Sequence, residues 1–202
     1  VGSVNVVKSG SLHPAGKGIN VARVLRDLGA NVAVSGILGA GNQQAFRDLF
    51  AQCGIKDHFM AVPGDTRINV KMVEDNGEVT DLNFPGVAVA DDELKEFEAH
   101  LLRQAEQYEY IVMAGSLPRG ISAEASRDLI AKLQQKGAKV LFDSSKHALV
   151  KGLEAKPFLI KPNEVELAEW AGRPLDTEAD LRAEAEKLRA AGITNVVISR
   201  GP

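Results

Sequence analysis

Four stretches of this sequence carry residue types and spacings that could do chemistry. The first is Ala15-Gly16-Lys17-Gly18-Ile19-Asn20, which leads into a helical pattern. Glycines let a backbone approach a ligand closely, a helix N-terminus favours anions, and Lys17 adds positive charge. It is not a Walker A loop: one residue too many separates Gly10 from Gly16, and Gly18 stands where that loop keeps its magnesium-binding hydroxyl. An ordinary glycine-rich turn before a helix reads the same locally, and both readings stand at this point. The second stretch is Arg67-Ile68-Asn69-Val70-Lys71. Strand alternation puts Arg67, Asn69 and Lys71 on one face, where two cations and an amide suit a phosphate and sugar hydroxyls. A solvated strand face is the plainer account, and local pattern alone favours it.

The third stretch is Lys161-Pro162-Asn163-Glu164-Val165-Glu166. Asn163 and Glu166 have the three-residue spacing of a capping box, with Asn in place of Ser or Thr. The functional alternative sets both near a magnesium-nucleotide at the carboxyl end of a strand, the edge where open parallel sheets bind ligands. The fourth, Gly115-Ser116-Leu117-Pro118-Arg119-Gly120, follows an apolar run. It has no Gly-x-Ser-x-Gly elbow, and no histidine can be assigned as a base for Ser116. Contact with a ligand through backbone and hydroxyl groups is the better reading. Asp143-Ser144-Ser145 could serve similarly or simply begin a helix.

These stretches need a scaffold, and the apolar pattern supplies one. Val32–Leu38, Ile111–Ala114, Val140–Phe142, Phe158–Ile160 and Val196–Ile198 are near-continuous apolar runs, as expected of strands buried on both faces. Amphipathic helices alternate with them. Val21, Val24, Leu25 and Leu28 share one helical face, as do Leu94, Phe97 and Leu101, and Ala125, Leu129 and Leu133. Gly137 and Gly192 read as C-caps. Strand-helix alternation implies a parallel sheet covered on both sides. Residues 67–84 break the rhythm, with polar-apolar alternation on both sides of Asp75-Asn76-Gly77, and predict a β-hairpin with one wet face outside the core. Val4 to Lys8 is a candidate further strand of that kind.

Bulk properties set limits. The 202 residues are 45% hydrophobic and 25% charged, ordinary for one globular domain. A formal net charge of -3 supplies no global basic field, so no nucleic-acid partner is expected. Cys53, the only cysteine, rules out an internal disulfide and reads as a small hydrophobe, and the four histidines lack metal-ligand spacing. No apolar run approaches a membrane span and no signal segment opens the chain, so no membrane and a cytoplasmic location are expected.

Taken in order, Gly-Lys-Gly-x-Asn, Thr-Arg-x-Asn-x-Lys, Gly-Ser-Leu-Pro, Asp-Ser-Ser, Lys-Pro-Asn-x-x-Glu and Ser-x-Gly form a set that resembles the ribokinase-like, PfkB-type carbohydrate kinases over essentially the whole chain. Residues 15–22 and 66–71, with Trp170-Ala171-Gly172, look most like the bacterial 1-phosphofructokinases of that family. The resemblance implies an α/β fold: a mostly parallel sheet flanked by helices, with a small β lid. It implies one incomplete kinase domain over 1–202, with lid strands at approximately 1–12 and 62–86 and an α/β core at 13–61 and 87–202. It implies ATP-dependent, Mg2+-assisted phosphorylation of fructose 1-phosphate to fructose 1,6-bisphosphate. Tagatose-6-phosphate kinase and type-2 6-phosphofructokinase are the near alternatives, and non-catalytic phosphosugar binding is the distant one.

Carried over by position, Gly16, Lys17 and Asn20 would contact the sugar phosphate, Arg67 and Lys71 would lie near its phosphate, and Asn69 and Ser116 would add polar contacts. Asn163 and Glu166 would organise the magnesium-nucleotide, Glu166 through water, with Lys161 nearby. Ser199 and Gly201 would begin the nucleotide loop. The lid would join a homodimer. The family's first strand would precede Val1, and its Gly-Ala-Gly-Asp segment, source of the catalytic base, would follow Pro202. Both ends therefore read as cuts inside a larger fold, and these residues alone are expected to be inactive.

Overall fold

The computed structural model describes residues 8–11, 13–74 and 76–201. In chain order the elements are α1 (Lys17–Asp27), β1 (Ala33–Val34), β2 (Ile37–Gly39), α2 (Gln44–Cys53), β3 (Lys56–Asp57), β4 (Met60–Val62), β5 (Asn69–Val73), β6 (Val79–Asn83), α3 (Asp91–Ala105), β7 (Tyr110–Ala114), α4 (Ala123–Gln135), β8 (Lys139–Asp143), α5 (Lys146–Glu154), β9 (Leu159–Ile160), α6 (Glu164–Ala171), α7 (Glu178–Ala190) and β10 (Asn195–Val196). The order β10-β9-β8-β7 makes one sheet in which every pairing is parallel. β1 pairs with β3 and β2 with β4, again parallel. The hairpin β5-β6 is antiparallel and stands outside those sheets, as expected.

Local chemistry explains the helices. Asp91, Asp92 and Glu93 place negative charge in the first turn of α3, where the helix dipole favours it. Ser122 caps α4 by accepting from the Ala125 N–H at 3.0 Å. The chain leaves α4 and α7 through Gly137 (φ 90) and Gly192 (φ 109), left-handed positions that suit glycine, as the sequence predicts. The apolar faces of α3 and α4 reach the larger core, where Phe97, Leu129, Leu133, Val140 and Ile160 pack together. A smaller core joins Ile19, Ala22, Val34, Phe50 and Ile55.

Four expectations need correction. The run Val32–Leu38 is two strands, because the chain breaks at Ser35-Gly36, where the Ser35 hydroxyl donates to the His58 carbonyl. The face of α1 carrying Val21, Val24, Leu25 and Leu28 is exposed; the helix instead buries Ile19 and Ala22 against β1 and α2. β7 is not covered on both faces, since Tyr110 and Val112 are exposed; among the described residues it is also the last strand of its sheet. The hairpin, expected to have one wet face, is exposed on both. Its strands lie within the predicted 67–84, but Asp75 of the turn lies outside the described residues, and so does the candidate strand Val4 to Lys8 apart from Lys8. Among the described residues no helix is long and apolar enough to cross a membrane.

Candidate active site

Parallel register brings β7, β8 and β9 to a common carboxyl edge: Ala114 lies opposite Asp143, and Phe142 opposite Ile160. The residues just beyond each strand therefore become neighbours although they are distant in sequence. α1 starts at the same edge. A Cβ on Gly18 would lie 3.9 Å from the Ala114 carbonyl oxygen. The first turn of α1 has no side-chain cap and no acidic residue, so its N–H groups and Lys17 present positive potential there.

Asp143 ties these parts together. Lys17 Nζ donates to Asp143 Oδ1 at 3.0 Å, and Lys161 Nζ sits 3.4 Å from Asp143 Oδ2. The carboxylate is 16% exposed, whereas the two lysine side chains are 50% and 43% exposed. The ammonium groups are thus held by a sheltered anion yet remain open to another. A lysine has three donors, so each can bind a phosphate oxygen while keeping its carboxylate contact. Ser144 anchors the adjoining loop by donating to the Gly115 carbonyl at 3.1 Å, and the Gly115 N–H donates to the Asp143 carbonyl at 3.0 Å. Exposed Ser116 follows directly.

The Asn163 and Glu166 pair forms a complete capping box. The Glu166 N–H donates to Asn163 Oδ1 at 2.7 Å, and the Asn163 N–H donates to Glu166 Oε2 at 2.9 Å. The cap uses one of the two carboxylate oxygens. Ser199 lies alongside: its N–H donates to the Pro162 carbonyl at 3.0 Å, and it bridges to Asn163. Gly201 follows and is exposed. Asn163, Glu166 and Ser199 thus lie together at the α6 end of the edge.

The sugar-side residues are differently placed. An open cleft of about 2660 Å³ is lined by Gly16, Lys17, Arg67, Asn69, Lys71 and Ser116, among others. Asn20 does not line it; its N–H donates to the Gly16 carbonyl at 2.9 Å within the helix. Lys71 faces Asp81 across the hairpin at 3.4 Å, so its charge is already partnered on an exposed face. Lys161, Asn163, Glu166, Ser199 and Gly201 do not line the cleft, and Asp143 is the link between Lys161 and Lys17. Sequence reasoning missed that link. Asp143 follows an apolar run, but it lies 126 residues from Lys17.

Among the described residues no group of three His, Cys, Asp or Glu side chains could hold a metal ion. Magnesium does not require such a cage, since it keeps several waters and takes one or two carboxylates plus substrate phosphates. Glu166, whose cap uses only one carboxylate oxygen, fits that demand, whereas both Asp143 oxygens already face lysine ammonium groups.

Comparison with known proteins bears on this site. The family model described as pfkB family carbohydrate kinase matches residues 1–202. A 1-phosphofructokinase from Vibrio cholerae is 52% identical over 201 residues, covering 100% of this chain and 63% of that protein. A 1-phosphofructokinase from Escherichia coli K12 is 48% identical, covering 99% of this chain and 64% of that protein. The chain therefore spans somewhat less than two thirds of the curated relatives it matches. Among solved structures, Escherichia coli phosphofructokinase-2 in complex with potassium superimposes with a TM-score of 0.83 at 30% identity, covering 98% of this chain and 67% of that one. A possible 1-phosphofructokinase from Thermotoga maritima gives a TM-score of 0.82 at 27% identity, covering 98% of this chain and 64% of that one.

Proposed function

Because this chain belongs to the pfkB family of carbohydrate kinases, we propose that the protein carrying it transfers the γ-phosphoryl group of ATP to the 6-hydroxyl of fructose 1-phosphate, giving fructose 1,6-bisphosphate and ADP. One observation supports the reading most strongly. Lys17, from the glycine-rich motif, and Lys161, from the Lys-Pro-Asn motif, share the Asp143 carboxylate at the edge where β7, β8 and β9 end. A transfer between two phosphorylated molecules needs positive groups of this kind between donor and acceptor. The 1-phosphofructokinase relatives, at 48–52% identity, favour fructose 1-phosphate. The resemblance to phosphofructokinase-2 favours fructose 6-phosphate as the second reading, at lower identity.

In this reading Gly16, Lys17 and Arg67 hold the sugar phosphate, Asn69, Lys71 and Ser116 bind beside it, and Asn20 supports the motif from within α1. Asn163, Glu166, Ser199 and Gly201 receive the nucleotide. Bound magnesium would neutralise charge on the nucleotide phosphates, with Glu166 reaching it through water. Asp143 already holds two ammonium groups and is not assigned as the general base; that base is placed outside these 202 residues. The chain is read as one incomplete kinase domain whose hairpin region, 62–86, forms a lid.

A homodimer through that lid is part of the proposal. Ile68, Val70 and Met72 alternate on one face of β5 and its lead-in, and Val70 pairs with Leu82 across the hairpin. Phe84 donates its N–H to the Ile68 carbonyl, and all five side chains are exposed. A second copy of the same surface would cover them. Phosphorus NMR of the full-length protein with ATP, magnesium and fructose 1-phosphate tests the reaction. Two phosphate-ester signals from one sugar product are expected. Hydrolysis of ATP with fructose 1-phosphate left unchanged would overturn the proposal.

A further inference from the structure

Every residue of β5 and β6 is exposed, so the placement of the hairpin is decided at its two feet. Asn42 holds the entering foot. Its Nδ2 donates to the Thr66 carbonyl at 2.9 Å, its Oδ1 accepts from the Thr66 N–H at 2.8 Å, and Thr66 Oγ1 accepts from the Gly39 N–H at 2.8 Å. These three bonds are partly buried. The leaving foot carries one side-chain bond, and it is exposed: Arg119 Nη2 donates to the Gly86 carbonyl at 2.8 Å. The backbone beside it follows the same loop, since the Val89 N–H donates to the Arg119 carbonyl at 2.8 Å and Ala88 bridges to Arg119.

The two feet also lie close together. A Cβ on Gly86 would lie 3.1 Å from both the Cβ and the backbone nitrogen of Arg67. Only glycine fits that approach, because a side chain at 86 would displace Arg67. Arg119 belongs to the Gly115–Gly120 loop, which also carries Ser116.

We infer that Arg119 is a positioning residue for Arg67: by holding the Gly86 carbonyl it fixes where Arg67 stands and ties the hairpin to the loop of Ser116. The inference rests on the reading of Arg67 as a sugar-phosphate contact. Arg119 itself touches no substrate in this account. The firmer Asn42 foot acts as the pivot, and the Arg119 side-chain bond, added to the backbone bond from the Val89 N–H to the Arg119 carbonyl, sets the angle about it.

The test is a double-mutant cycle in the full-length protein, using R67A, R119A, R119K and R67A/R119A with fructose 1-phosphate and ATP. One exposed hydrogen bond predicts that R119A lowers kcat/KM for fructose 1-phosphate about three- to tenfold, chiefly through KM, with KM for ATP and the melting temperature unchanged. R119K keeps a donor and recovers part of the loss. In the R67A background, R119A should change the sugar kinetics by less than about twofold, because the residue it positions is gone. Wild-type kinetics in R119A, or a fully additive loss in the double variant, overturns the inference. So does an equal rise in both KM values together with a lower melting temperature, the mark of a structural role only. If R67A itself behaves as wild type, the reading of Arg67 falls and takes the inference with it. If R67A is impaired and R119A is not, only the inference falls.

Discussion

Replacing Glu166 by Gln in the full-length protein separates a cap from a catalytic contact. Gln still accepts the Asn163 N–H, and Asn163 Oδ1 still accepts from the N–H of residue 166, so both capping bonds, 2.9 and 2.7 Å in length, survive. Two things are lost. One negative charge leaves the first turn of α6, where Glu164 remains, at about 0.3–1 kcal/mol. One charge-assisted bond becomes a neutral one of roughly half the strength. A cap-only Glu166 therefore predicts a stability loss of about 1–2 kcal/mol and unchanged turnover. A Glu166 that orders the magnesium-nucleotide through its charge predicts more. A charged hydrogen-bond contact is worth about 1.5–3 kcal/mol, so kcat/KM for magnesium-ATP should fall about ten- to 150-fold. The magnesium concentration at half-maximal rate should also rise. The assay is a magnesium titration of turnover at fixed ATP for both proteins, with circular dichroism melts as control. The account expects a shifted titration and a small melting change. Coincident magnesium curves would refute it and leave Glu166 as a cap.

Arg67→Ala should reduce kcat/KM for the sugar phosphate about tenfold or more while leaving KM for ATP unchanged, since a charge-assisted contact of about 1.5–3 kcal/mol is lost at one ligand only; steady-state kinetics with each substrate varied decides it. Glu184, buried in α7, accepts from Lys187 Nζ at 2.8 Å and from Arg173 Nη2 at 2.8 Å. The Lys187 bond, aided by Arg173, holds its carboxyl below the usual range against the opposing effect of burial. Its folded pKa is depressed, so its stabilisation is present above the unfolded carboxylate pKa and is lost as pH falls through the folded value. Glu184→Gln should therefore melt lower than wild type at neutral pH, and the gap should close as pH drops below about 4.3; melts across that range check the sign. Met72→Glu would place charge in the exposed hairpin face and should shift the full-length protein from dimer to monomer, as read by sedimentation. A polypeptide limited to these 202 residues should show no ADP release above background, and turnover equal to that of the full-length protein would show that the base has been misplaced.

What was legible in the sequence was local. Leu94, Phe97 and Leu101 announce α3 because helical periodicity is a short-range signal, and Asn76-Gly77 announces the hairpin for the same reason. The capping box of Asn163 and Glu166 was readable because its partners lie three residues apart. β3 and β4, two and three residues long, are too short to show any period. The exposed face of α1 was misread because amphipathic spacing marks an apolar stripe but not what covers it. At the site, the motifs were visible while their connections were not. Lys17 meets Asp143 only because elements distant in sequence end at one edge, and Arg119 meets Gly86 only because the hairpin's leaving segment runs beside the loop after β7.

The most direct test of the account is kcat/KM of the full-length protein, with ATP and magnesium saturating, on fructose 1-phosphate, fructose 6-phosphate and tagatose 6-phosphate side by side. The account predicts that fructose 1-phosphate exceeds both by at least about tenfold, a discrimination within reach of one charged contact to a phosphate at the correct end of the sugar. Equal or greater efficiency on fructose 6-phosphate or tagatose 6-phosphate would contradict it, as would no turnover on any of the three.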